Sequence, residues 1–407
     1  MNVINLFDGI SCGQLALQRA GIPVEKYYAS EIDKNAIKIT MDNFPNTIQL
    51  GDVRMLSCSH LSGDVLAEGS SLMGNPSALK GIPSTEDLSA SVLPNSEAKS
   101  IVSPGDLSAV LRDSKTGSVV APGDLSASVL LDSQAGQFLS SPFTVFMSGN
   151  PCTNLSLSGK RNGFVTKDKI KVLSLEQYLD LKASGWEFDG QSYLFWEAVR
   201  LLEEIKPKYF LFENVRMQRE WEEVFNRTLG VEPIEINSAL VSAQTRKRLY
   251  WTNIPGITQP GDRCIKLIDI LDDKTFTTPA AIRGRNIDIT QLVSSDIPEG
   301  SKQFPVVQCL EVHGGDTDKS NCLTTVEKDN VLTCLEPGRH IDAFGKFSGT
   351  PLPYRYYTRS EYERLQTLPV GYTRAVSESA AKKAIGNGWT VDIIAHILSH
   401  IPKEDWL

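Results

Sequence analysis

The sequence predicts an α/β protein, a mostly parallel, doubly wound sheet with a smaller second domain and a serine-rich insert. Three observations predict it. Short apolar runs alternate with helical stretches over residues 1–56, the alternation returns after residue 141, and the stretch between has a different composition. Strands alternating with helices give a parallel sheet with helices on both faces.

At 407 residues the chain is long enough for a large core or two domains, since single cores rarely grow beyond roughly 250–300. No apolar run approaches the ~18–20 residues of a membrane span, and Asp8 interrupts the first one, so neither a span nor a secretory leader is expected. Seven cysteines without CxxC or Cys/His spacing fit a reduced, cytoplasmic setting with no metal site. The net charge of −8 argues against a generally basic nucleic-acid binder, but the charge is uneven.

From the N-terminus, VINLF (3–7) reads as a strand, DGISCG (8–13) as a glycine-bearing turn and QLALQRAG (14–21) as a helix closed by Gly21. YYASEI (27–32) is a second strand ending on an acid, DKNAIKITMDNF (33–44) a second helix and TIQLGDV (47–53) a third strand. Residues 57–141 break this rhythm. They hold 20 serines in 85 positions, with Phe138 as sole aromatic, and repeat as EDLSASVL (86–93), GDLSAVL (105–111) and GDLSASVL (123–130). Nine acids against four bases put −5 of the −8 here. Lacking aromatics for a core, the segment reads either as an expanded insertion or as a small β-solenoid. Neither reading places chemistry in it.

The sheet resumes with FTVFM (143–147), which runs into GNPCTNLS (149–156). A charged stretch, 165–190, precedes the helix YLFWEAVRLLEEI (193–205), where Leu194, Val199, Leu201 and Leu202 suggest a buried stripe and Pro207 a stop. The strand YFLF, the turn ENVRM, another helix, a strand near IEINSALV (234–241) and QTRKRLYWTNI (244–254) follow. Residues 257–350, rich in Gly, Thr and Asp, suggest a separate, mainly irregular or β domain. The expected division is thus 1–56 with 142–256, the insert 57–141, the small domain 257–350, and 351–407 rejoining the first.

FDGISCG (7–13) lacks a full GxGxxG, yet a glycine turn between strand and helix lets a ligand approach the backbone at the sheet's carboxyl edge. Glu31 ends the second strand, placed for ribose hydroxyls, and Asp52 ends the third, placed for an adenine amino group. Read alone, each acid is more readily a helix cap than a ligand. Together with the turn, at successive strand ends, they point to an adenosine ligand. Cys152 follows a strand in a tight Gly–Asn–Pro turn that exposes it at the same edge, whereas a lone cysteine is usually a small buried hydrophobe. FENV (212–215) brings Glu213 there, and a thiolate beside a carboxyl suits an attack coupled to proton transfer. Arg246 and Arg248, two apart on one strand face, could hold a carbonyl oxygen or orient the acids. Read singly, Glu213 could cap a helix and the arginines could be surface charges.

In order, FDGI, a strand-end glutamate, GDV, GNPC, FENV, QTRKR and IGNGW resemble the motif series of the DNA (cytosine-5) methyltransferases. The resemblance covers nearly all the chain apart from the insert and parts of 257–350. The FDGI and NPCTNLS forms resemble the de novo animal branch and its phage relatives more than the FAGxGG and PCQxFS of most bacterial restriction-associated members. The resemblance implies a methyltransferase sheet, S-adenosylmethionine as cofactor and double-stranded DNA as partner. It places Cys152, Glu213, Arg246 and Arg248 in the catalytic set. Against the cofactor it places Phe7, Asp8, Gly9, Ile10, Gly13, Glu31, Ile32, Asp52, Val53, Pro151, Leu194, Asn387 and Trp389.

By the same resemblance, Cys152 adds to C6 of a flipped cytosine, a protonated Glu213 engages N3 and the amino group, and Arg248 with Arg246 holds O2. Glu213 would need a raised pKa for that role. The loop 153–164, with Asn154, Ser156, Lys160 and Arg161, is the element expected to close over DNA, its bases on phosphates. By position 257–350 resembles a target-recognition domain, with Arg283 and Arg285 flanking Gly284 as guanine readers or phosphate contacts. A cytosine methyltransferase acting on tRNA and a catalytically silent DNA-binding partner are the alternatives. An NAD-dependent oxidoreductase would explain the first turn only.

Overall fold

The structure, a computed structural model, describes residues 1–57, 143–156, 162–286, 306–313, 318–341 and 352–406. The serine-rich repeats, Lys160 and Arg161 lie outside the described residues.

Seven strands form the main sheet: β1 (Asn2–Leu6), β2 (Lys26–Ser30), β3 (Ile48–Gln49), β4 (Phe143–Ser148), β5 (Tyr209–Val215), β6 (Ile234–Asn237) and β7 (Lys247–Thr252). Their order is β3-β2-β1-β4-β5-β7-β6. Pairing is parallel from β3 to β5, while β7 runs antiparallel to both β5 and β6. β1 is buried along its whole length, as a central strand covered on both faces must be. Leu6 pairs with Ser30 on one side and Ser148 on the other, and Ser148 pairs with Phe212. β2, β1, β4 and β5 are therefore in step, and the motifs at their ends come out at one edge. The chain order reverses between β1 and β4, the point where open α/β sheets leave a crevice.

The helices are α1 (Cys12–Arg19), α2 (Lys34–Asn43), α3 (Leu175–Ala183), α4 (Leu194–Ile205), α5 (Arg219–Leu229), α6 (Leu267–Ile270), α7 (Arg359–Leu365), α8 (Glu378–Asn387) and α9 (Val391–Leu398). Strand residues alternate between two layers of different chemistry. Val145, Met147 and Leu211 join a mainly aliphatic cluster with Leu15 and Leu17 of α1 and Ile393, Ile394 and Ile397 of α9. The intervening Phe146 stacks on Phe212, which leads into an aromatic layer. There Phe195 of α4 lies 4.0 Å from Phe225 of α5 and 5.3 Å from Phe164, and Phe225 lies 4.6 Å from Trp251. Gly163 (φ 69°) sits against this layer, where a Cβ would fall 1.9 Å from Trp221, so only glycine fits. The expected stripe on α4 is corrected in part. Val199 and Leu201 are buried with Phe195 and Trp196, whereas Leu194 and Leu202 are only half-buried.

The stretch 257–350 is more regular than its sequence suggests. β8 (Thr278–Asn286), β9 (Val306–Val312), β10 (Val331–Thr333), β11 (Gly338–Ile341) and β12 (Tyr354–Tyr356) make an antiparallel sheet in the order β11-β9-β8-β10-β12. Its core is Ala280, Ile282, Leu310, Val312 and Val331. Both expected boundaries move. Leu267 and Leu271 belong to the main core with Ile257 and Ile265 packed on it, and β12 lies beyond 350 yet completes the small sheet. Strands such as VLT and YRY are too short for their periodicity to show. Among the described residues no helix is long and apolar enough to cross a membrane.

Phe195→Ala is expected to cost about 3–5 kcal/mol of stability by opening the aromatic layer. The denaturant midpoint checks it, and an unmoved midpoint would mean that the layer closes over the gap.

Candidate active site

A crevice of about 620 Å³ opens along the carboxyl edge, a volume that suits a small ligand and more. Of the residues expected against a cofactor, all but Gly13 line it. Gly13 is packed inside α1, where a Cβ would lie 2.8 Å from Met147 Cε and 3.0 Å from the Tyr27 hydroxyl, so it serves helix–sheet contact.

The first turn takes left-handed backbone at Phe7 (φ 57°), Gly9 (φ 59°) and Ser11 (φ 54°). Such geometry needs a clamp, and Asp8 provides it from beneath. Its carboxylate accepts from Asn5 Nδ2 at 2.6 Å, from the Tyr27 hydroxyl at 2.7 Å and from the Ser11 hydroxyl. Burial pushes its pKa up to about 6, against the pull of those hydrogen bonds. This corrects the expectation for Asp8: it shapes the turn from within and does not hold its carboxylate out to a ligand. Glu31 is oriented by three backbone N–H groups, from Gly9 (2.8 Å), Ile32 (2.7 Å) and Asp33 (2.8 Å). Asp52 accepts from Arg54 N and Nε, both at 3.0 Å, and the Arg54 side chain holds it below the usual carboxylate range. The capping alternative thus holds for Asp52, although it also lines the crevice.

Cys152, Glu213, Arg246 and Arg248 line the same crevice. Cys152 is half-buried, and its carbonyl accepts from the N–H groups of Leu155 and Ser156, both at 2.9 Å, in the tight turn that its sequence predicts. Burial raises its thiol pKa and Glu213 adds to the rise, while Arg248 and Arg246 oppose it. By contrast Cys12, sealed under the turn, is pushed up to about 12, chiefly by burial. Glu213 is held on both oxygens. Arg248 Nε lies 3.0 Å from one, and Trp389 Nε1 donates to the other at 3.0 Å.

Arg246 is corrected from substrate holder to brace. It is buried, and its guanidinium donates to the carbonyls of Leu323 (3.2 Å), Gly386 (3.4 Å) and Gly388 (3.0 Å) and to Cys322 Sγ (3.3 Å). Asn154 is likewise structural. It is buried, and its side chain donates to the Asp189 carbonyl at 2.8 Å. Ser156 is half-buried and bridges to Met217. On the small sheet Arg283 pairs with Asp329 at 2.7 Å and Arg285 with Glu311 at 2.7 Å, so neither is a free cation. Sequence reasoning missed Cys322, which accepts from Arg246 and Arg248 behind the crevice and comes from the segment before β10 without a motif. Burial works against its ionisation, but Arg246 and Arg248 outweigh that and hold the thiol below its ordinary range.

Residues 1–70 and 183–229 match the model of the C-5 cytosine-specific DNA methylase family. Over those two stretches the chain is similar to that family. The matched stretches carry the first turn, Glu31, Asp52 and Glu213; Cys152 falls between them. It is similar to the Type II methyltransferase M.HpaII of Haemophilus parainfluenzae, 23% identical over 286 residues, 63% of this chain and 71% of the relative. M.Eco47II of Escherichia coli is 24% identical over 300 residues, 64% and 65% of the two chains. Two solved structures share the fold. The Entamoeba histolytica methyltransferase EhMeth superposes with a TM-score of 0.51 at 14% identity, covering 98% of this chain and 97% of its own. The S. pombe Dnmt2 methyltransferase gives 0.50 at 16%, with the same coverage.

Asp8 predicts a pH dependence. Its folded pKa of about 6 exceeds the unfolded value, so its contribution is fully present below about pH 4 and is lost as pH rises through 6. Between those limits wild type should lose up to about 3 kcal/mol relative to Asp8→Asn in urea unfolding. A pH-independent difference would show that Asp8 does not titrate there.

Proposed function

We propose that this chain transfers a methyl group from S-adenosylmethionine to C5 of cytosine in double-stranded DNA, through a covalent bond from Cys152 to C6. The observation that carries this reading is one continuous crevice, with the first turn, Glu31 and Asp52 lining it together with Cys152, Glu213 and Arg248.

The residues present fit the cofactor. Glu31 offers a backbone-held carboxylate to hydroxyls, Ile32 leaves an apolar side chain 63% exposed beside the crevice, and Val53 and Leu194 add apolar wall. Asn150 Nδ2 is buried in the same lining without a hydrogen-bond partner, a donor that a ligand would satisfy. Bound there, S-adenosylmethionine supplies an electrophilic methyl group.

The protein's own part is to activate the base. Cytosine C5 is a poor nucleophile until a thiolate adds at C6 and leaves an enamine. Cys152 makes that bond while a protonated Glu213 gives its proton to N3 and accepts from the amino group, and Arg248 faces O2. The two arginines oppose the rise that burial imposes on the Cys152 thiol, which favours its ionised, nucleophilic form. After methylation, loss of the C5 proton and elimination of Cys152 restore the aromatic ring. Arg246 acts indirectly, by fixing the backbone around Gly388.

Labelled S-adenosylmethionine and unmethylated duplex DNA, followed by nucleoside mass analysis, test the reading. Wild type should yield 5-methylcytosine and Cys152→Ser less than about one-thousandth of it. No product from folded wild type would sink the proposal, and product in tRNA alone would move it to an RNA substrate. Replacing 58–140 by a short linker should leave the wild-type rate within about threefold. Lost activity in a folded deletion variant would give the insert a part in the reaction.

A further inference from the structure

Glu213 is positioned from two directions, and only one of them is the arginine of its own sheet. We infer that Trp389 is a positioning residue for this carboxylate: its indole N–H sets the plane in which Glu213 meets the base, so the α8–α9 connection governs base activation. The inference rests on the function proposed above.

The terminal torsion of a glutamate is broad, so a carboxylate with a single donor can pivot about it. Here the donors sit on different oxygens and come from different elements, Arg248 Nε from β7 at 3.0 Å and Trp389 Nε1 from the α8–α9 connection at 3.0 Å. Two such bonds fix the plane; removing either frees it. The indole is itself immobilised. It is 7% exposed and its Nε1 edge packs against Gly149, where a Cβ would fall 3.0 Å from Nε1, 3.1 Å from Cζ2 and 3.2 Å from Cε2. Gly149 opens the loop that carries Cys152, so this absent side chain seats the indole beside nucleophile and carboxylate alike. The chain on either side of Trp389 is tied to Gln366, whose Nε2 donates to the Gly388 carbonyl at 2.9 Å and whose own carbonyl accepts from Val391 N at 3.1 Å. A tryptophan serving only as crevice wall would need neither the N–H bond nor this anchoring.

The two roles separate in a reaction that needs no cofactor. On duplex DNA carrying tritium at cytosine C5, the Cys152 thiolate adds to C6 and C5 takes a proton from water. C5 then releases tritium as the thiolate is eliminated, so the base is regenerated and nothing is oxidised or reduced. Trp389→Phe keeps a ring but not the N–H. Its exchange without cofactor should fall about tenfold or more, and kcat for methylation with it, while KM for S-adenosylmethionine stays within about threefold. Gly149→Ala keeps Trp389 but displaces its ring, and should slow exchange in the same direction. Wild-type exchange in both variants, with or without a raised KM for S-adenosylmethionine, would overturn the inference and leave the proposed function standing. Wild type that neither exchanges nor methylates would overturn both. A Trp389→Phe protein that melts well below wild type passes the decision to Gly149→Ala, whose slowed or unchanged exchange supports or refutes the inference.

Discussion

The pairing of Leu6 with Ser30 and Ser148, and of Ser148 with Phe212, is the constraint on which the rest of the molecule depends. In a sheet of period two, a slip of one residue exchanges the faces of every side chain on the strand. That exchange is especially costly here because the two faces differ in kind. Met147 belongs among the aliphatic residues of α1 and α9, whereas Phe146 belongs with Phe212 and the rings behind it. Packing on both faces thus holds the strand ends in step. Strand ends in step deliver the first turn, Glu31, Cys152 and Glu213 to one crevice.

The crevice gathers carboxylates that would repel one another if left bare, and each is managed differently. Asp8 is buried until its pKa rises to about 6, Glu31 is held by backbone N–H groups, Asp52 is paired with Arg54, and Glu213 is shared between Arg248 and Trp389. The thiols are graded in the same way. Burial leaves Cys12 inert, raises Cys152 in part, and is outweighed at Cys322 by two guanidinium groups. Each of these groups is answered by donors or cations close to it, so the acids do not leave the crevice with bare carboxylates side by side.

The parts of this arrangement legible in the sequence were those fixed by short-range rules. Strand, turn and helix over residues 2–53 follow from apolar periodicity and glycine placement, and the acids at strand ends follow from that frame. What stayed hidden depends on contacts far apart in sequence. Arg246 and Arg248 look equivalent in QTRKR, yet one is consumed by carbonyls near residues 323 and 386–388 and the other reaches Glu213. Asn154 looks like a loop residue free to touch DNA until Asp189 claims its amide. Asp8 looks like a ligand acid until the donors beneath the turn are seen. The β character of the smaller sheet was legible, but its strand order and full extent were not, because its shortest strands give periodicity too little length to register.

β7 runs against its neighbours, and this reversal changes which end of a strand can serve the site. In the parallel strands the working residue comes last, after the apolar run that buries the strand. In β7 it comes first, because Arg248 pairs with Val215 while Thr252, at the far end, pairs with Leu211. A parallel β7 would carry the same side chain to the opposite rim, about 15–20 Å away at ~3.3 Å per residue. Direction of travel thus acts as a positional device: by turning one strand around, the fold adds a cation to an edge otherwise supplied by strand ends, without lengthening any loop to bring it there.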